Sequence, residues 1–223
     1  MQIFEEIMGL LNSLYRSSVG KKSIMAATGL LLAIFLLTHL LGNSVSFLGR
    51  EAFNAYAEKL HSLGVFIPVF AVILLSLFLI HIITGIILFL ENLGARPTRY
   101  AVNTGEGGRS LGSRTMPYTG AVILIFIIVH LINFHFTDKS IPAADLVREL
   151  LSRPGLAVFY IFSLLSVALH ISHGAWSLFQ SIGLNHEKYN DLLQKGALIF
   201  SIVVGTVFIL IPLLALVSRS FLL

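Results

Sequence analysis

Apolar and charged positions divide the chain into five long uncharged runs separated by short clusters of charge. The runs lie between Lys22 and Arg50, Lys59 and Glu91, Arg114 and Asp138, Arg153 and Glu187, and Lys195 and Arg219. Each holds at least the roughly 20 residues that an α-helix needs to cross about 30 Å of hydrocarbon. Stretches such as "LLLAIFLLTHLL" and "VILLSLFLIHII" are continuously apolar, whereas a membrane β-strand shows about 10 residues in strict alternation. The pattern predicts an all-α membrane protein, a single transmembrane domain over residues 1–223, with helices at approximately 24–48, 64–92, 116–137, 155–182 and 196–219.

Composition agrees: 56% of the 223 residues are hydrophobic and 12% charged, and the mean hydropathy is +0.89. Glu5 and Glu6 stand where a cleavable signal would have a basic start, so the first span is expected to remain. With no cysteine, disulfides, thiolate metal ligands and covalently attached c-type haem are excluded. A net charge of +4 gives no ground for a nucleic-acid partner. No segment has the G-x4-G-K-[ST] spacing of a phosphate-binding loop.

Lys and Arg in short loops set orientation. With a cytoplasmic N-terminus, that side receives nine (Arg16, Lys21, Lys22, Arg96, Arg99, Arg109, Arg114, Lys188, Lys195) against six (Arg50, Lys59, Lys139, Arg148, Arg153, Arg219). The connection "ARPTRYAVNTGEGGRSLGSRT", with Gly105, Gly107, Gly108 and Gly112, reads as a polar loop, either a docking surface for soluble partners or a connector.

The spans also repeat. A shift of 91 lays "MAATGLLLAIFLLTHL" on "MPYTGAVILIFIIVHL", matching Met25 with Met116, Thr28 with Thr119, Gly29 with Gly120 and His39 with His130. A shift of 89 lays "HIITGIILFLENLG" on "HISHGAWSLFQSIG", matching His81 with His170, Gly85 with Gly174 and Gly94 with Gly183. His173 then falls opposite Thr84, which favours His170 over His173 as the functional histidine. His173 reads as a polar group at a helix interface.

An ionisable residue inside the bilayer is costly and by default marks function. An interhelical hydrogen bond is the structural alternative for any one of them, but four in four spans with repeat symmetry need a common reason. At about 1.5 Å per residue, His39 and His130 lie roughly 20 Å beyond Ile24 and Pro117, near the far face. His81 and His170 come near the cytoplasmic ends of spans that run the other way. Two neutral imidazoles facing each other across a bundle are the axial ligands of a six-coordinate b-type haem. Two levels imply two haems, with the first four helices as the haem-binding bundle. Gly85 and Gly174, one turn after their histidines, would leave room for a flat macrocycle or serve helix packing.

These residues together resemble the single-chain, five-helix, dihaem cytochrome b subunit of succinate:quinone oxidoreductases and quinol:fumarate reductases. The resemblance rests on "SSVGKKSIMAATGL" leading into "THLLGN", on "IHIITG" and "ARPTRY", on "SRTMPYTG" leading into "VHLINF", and on "LHISHGAWSLFQSIGLN". It implies that His39 and His130 hold the haem distal to the soluble subunits and that His81 and His170 hold the proximal one. It further implies an iron–sulfur subunit and a flavoprotein subunit on the cytoplasmic face of a bacterial or archaeal cytoplasmic membrane. A quinone, commonly menaquinone, would be the membrane substrate, and a dimer of the complex is compatible. Some dihaem members carry a buried Glu two residues before the fourth-helix ligand, where this chain has Ala168.

Quinol oxidation releases two protons, so a carboxylate or imidazole is expected at the far surface. Glu58 and His61 in "NAYAEKLHSLG" are the candidates, with Asn54 and Tyr56 nearby; a connector lying on the membrane surface would look the same. Lys21, Lys22, Arg96 and Arg114 read as solvated loop charge, or as partners of haem propionates or of the soluble partner's surface. Rival readings are a cytochrome b subunit of another respiratory complex and a histidine-based proton or metal transporter.

Overall fold

The computed structural model describes residues 5, 6, 9, 13–95, 111–138, 140–184, 186–218, 221 and 222, and there the chain is helical apart from short turns. Among the described residues, five helices are long and apolar enough to cross a membrane. They are α1 (Ser18–Ser44) with its 3-10 extension Val45–Leu48, α3 (Phe66–Gly94), α4 (Leu111–His130) with a π-turn over Leu131–His135, α6 (Pro154–Ser181) and α7 (Glu187–Val217). Two shorter helices, α2 (Arg50–His61) and α5 (Ala143–Leu151), connect them at one end of the bundle.

Helix ends follow local chemistry. The Ser17 hydroxyl accepts the Gly20 N–H at 2.9 Å, capping one of the amides that the first turn of α1 leaves unpaired. Pro154 opens α6 at a position where its missing N–H costs nothing. His186 caps α7 by accepting the Lys188 N–H. Between α1 and α2, Gly49 has φ 100°, a conformation that side chains disfavour.

The order α1–α2–α3 is repeated by α4–α5–α6, so the repeat seen in the spans extends to their connectors. Close backbone packing joins α1 to α3, α4 to α6 and α1 to α6, and α7 lies along α6. At the α6–α7 seam a Cβ added to Gly205 would stand 2.8 Å from the Ala168 Cβ. Ala168 is thus turned on to α7, where a longer side chain would force the helices apart. The α3 helix buries only Thr84 and presents apolar residues on its remaining faces, as a lipid-facing helix does. The connectors pack on each other: Arg50 pairs with Asp145 at 2.7 Å, and the Asn54 Oδ1 accepts the Ala144 N–H at 2.9 Å. Phe53, Ala144, Val147 and Leu151 close the core beneath them.

Candidate functional site

At one level of the bundle, near the N-terminal ends of α1 and α4, His81 on α3 faces His170 on α6 with ring centroids 6.5 Å apart. Each imidazole is met by a threonine from the preceding long helix. Thr28 Oγ1 lies 3.0 Å from His81 Nδ1, and Thr119 Oγ1 lies 3.1 Å from His170 Nδ1. A Cβ at Gly29 or Gly120 would stand 3.4 or 3.7 Å from the Cε1 of His81 or His170. These contacts join the very residues that the internal repeat pairs. Thr28, Thr119, Gly29 and Gly120 entered the sequence reading only as markers of the repeat; the structure makes them the walls of this site.

At the other level His39 on α1 faces His130 on α4, with centroids 5.9 Å apart and ring planes at 86°. Rings surround them: Phe35 and Phe208 beside His39, and Phe126, Phe134 and Tyr160 beside His130. Asn133 donates to the Tyr160 hydroxyl at 3.2 Å. The Nδ1 of His130 is buried with no hydrogen-bond partner among the described residues, so it has no threonine contact like those of the first level. The backbone of α4 widens into the π-turn immediately after His130, a feature common at functional sites.

Metal–imidazole bonds of about 2 Å, plus roughly 1 Å from each nitrogen to its ring centre, would put two imidazoles that face each other across one metal about 6 Å apart. Both pairs have that separation. The helices that carry each pair, α1 with α4 and α3 with α6, are not among those whose backbones pack closely. The imidazoles therefore meet between helices whose backbones are not in close contact. Thr28, level with His81, precedes His39 by eleven residues of α1, so the two pairs are offset by about 16 Å along the helix axis.

Other candidates fall elsewhere. His173 is on α6 one turn beyond His170, where a Cβ on Gly112 would stand 2.9 Å from its Cβ; the residue occupies a tight α4–α6 approach. Around Gly174 an added Cβ meets nothing within 4 Å among the described residues, whereas at Gly85 it would stand 3.2 Å from the Met25 Cε. Glu58 and His61 are exposed on α2, at the His39–His130 end. Asn54 caps α5, and Tyr56 lies over Gly42 of α1. Lys21 is not solvated: its side chain is 6% exposed and pairs with Glu91 at 2.5 Å, joining α1 to α3. Lys22 and Arg114 are exposed. Arg96, Arg99, Arg109 and the rest of the loop at 96–110 lie outside the described residues.

No family model and no solved structure matches the chain. Among curated proteins it is similar to the succinate dehydrogenase cytochrome b558 subunit of Bacillus subtilis (strain 168). The two are 28% identical over 159 residues, covering 68% of this chain and 73% of the relative.

Proposed function

We propose that this chain is the membrane-anchor and electron-transfer subunit of a succinate dehydrogenase or fumarate reductase complex, carrying two b-type haems between a quinone pool and a soluble iron–sulfur subunit. The observation that carries the reading is the meeting of four intramembrane histidines in two pairs, His81 with His170 and His39 with His130, each at the separation of two imidazoles on one metal. The similarity to a succinate dehydrogenase cytochrome b558 subunit supports the same assignment. His81 and His170 would hold the haem nearer the soluble subunits, and His39 and His130 the distal one.

When bound, the haems supply one-electron chemistry at two depths in the membrane. His81 with His170, and His39 with His130, would each hold one iron and leave it no open position, which favours electron transfer over oxygen binding. The chain's own residues do the rest. Phe35, Phe126, Phe134, Tyr160 and Phe208 surround the far pair with apolar surface and keep water from it. Glu58 and His61, exposed at that same end, would take the protons a quinol gives up. We place the N-terminus and the iron–sulfur and flavoprotein subunits on the cytoplasmic side of a bacterial or archaeal membrane, with menaquinone as the quinone.

The test is haem content per chain by pyridine haemochrome, in the parent, His170→Ala and His173→Ala. Two haems are expected in the parent, one in His170→Ala and two in His173→Ala. A folded parent without haem would overturn the proposal, and haem loss confined to His173→Ala would overturn the choice of ligand.

A further inference from the structure

The two histidine pairs have unlike hydrogen-bond surroundings. Thr28 Oγ1 is 2.8 Å from the Ile24 carbonyl, 3.2 Å from the Met25 carbonyl and 3.0 Å from His81 Nδ1. Thr119 Oγ1 is 3.1 Å from the Thr115 carbonyl, 3.2 Å from the Met116 carbonyl and 3.1 Å from His170 Nδ1. A hydroxyl has one proton to give, and carbonyls can only accept. If that proton went to the imidazole, two carbonyl oxygens would face the hydroxyl lone pairs with nothing between them. The consistent arrangement has each hydroxyl donating to its own helix backbone while Nδ1–H donates to the hydroxyl. The ring proton is then on Nδ1, and Nε2 keeps its lone pair. At the other level His130 Nδ1 is buried without such an acceptor among the described residues.

We propose that Thr28 and Thr119 are positioning residues that fix His81 and His170 as Nε2 ligands and strengthen them as electron donors, so that they hold down the reduction potential of that one haem. The proposal deepens the function proposed above and rests on it. An acceptor behind a ligating imidazole fixes its tautomer and orientation and raises its basicity. A more basic ligand stabilises the ferric over the ferrous state. Both threonines are buried, in a segment where no bulk water can replace a lost hydroxyl.

The experiment is a redox titration of the haem absorption bands in the whole complex, comparing the parent with Thr28→Val, Thr119→Val and Thr28→Ser. Thr38→Val is the control, because the Thr38 hydroxyl donates to the Phe35 carbonyl at an exposed position. Each valine variant should raise the midpoint of one centre and leave the other unmoved. The ferric-to-ferrous ratio at fixed potential should change by up to about tenfold, equivalent to 59 mV for one electron. Thr28→Ser should restore the parent value, and Thr38→Val should move neither centre. Two haems whose potentials stay at the parent values in both valine variants would overturn this inference while leaving the cytochrome reading intact. Loss of a haem in Thr28→Val that serine does not restore would assign Thr28 to packing alone, and also overturn it. A parent without haem would overturn the functional reading itself.

Discussion

Gly205→Ala tests the α6–α7 seam. The added Cβ would sit 2.8 Å from the Ala168 Cβ, whereas carbon atoms in contact prefer about 3.5–4.0 Å. Neither methyl can rotate away, so α7 must back off by about 1 Å, and overpacking of this kind costs about 1–3 kcal/mol. Gly205 lies among Val204, Phe208 and Ala197 on the buried face of α7. Phe208 touches the His39 ring at 5.8 Å between centroids, so the displacement reaches the far histidine pair. Ala168→Gly alone should cost about 1 kcal/mol through lost helix propensity. The double variant removes the clash and should be more stable than the sum of the single effects by at least about 1 kcal/mol. Stability is read as denaturant-induced loss of helical circular dichroism in detergent, for parent, both singles and the double. A Gly205→Ala protein within about 0.5 kcal/mol of the parent, or a double variant that merely adds the single effects, would refute the steric argument.

Three further outcomes are expected. Glu91→Gln should leave the Lys21 ammonium uncompensated at a buried position and cost about 1–2 kcal/mol in the same denaturation assay. That figure is discounted from a fully buried pair because the Glu91 side chain is 48% exposed; Lys21→Met should cost less. Asn54→Ala removes the acceptor of the Ala144 amide and should cost about 1 kcal/mol, seen as faster proteolysis between α4 and α6. Glu58→Gln and His61→Ala should lower quinol oxidation by the complex with haem content and stability unchanged; unaltered turnover in both would reduce them to surface positions of a connector.

The five spans are legible in the sequence because the bilayer demands long uncharged runs, and the arrangement of charges delimits them. The pairing of histidines is legible for a different reason: the internal repeat sets His39 opposite His130 and His81 opposite His170, and the same residues meet in space. What escaped the sequence depends on side-chain direction across helices. Nothing in "MAATGLLL" distinguishes a threonine bonding to its own helix from one that also reaches an imidazole 53 positions away. Lys21 reads as loop charge because its partner is 70 residues distant. The π-turn after His130 leaves no mark in "HLINFH", since one widened turn alters the backbone and not the hydrophobic pattern.

Thr28 touches His81 as Thr119 touches His170, and each imidazole pair joins residues that the internal repeat makes equivalent. The two halves nevertheless pack on each other unequally, because α1 lies close against α6 whereas α3 and α4 are not in close backbone contact. The α7 helix has no counterpart in the repeat; it sets Phe208 against His39 and so gives two matched ligands unlike neighbours.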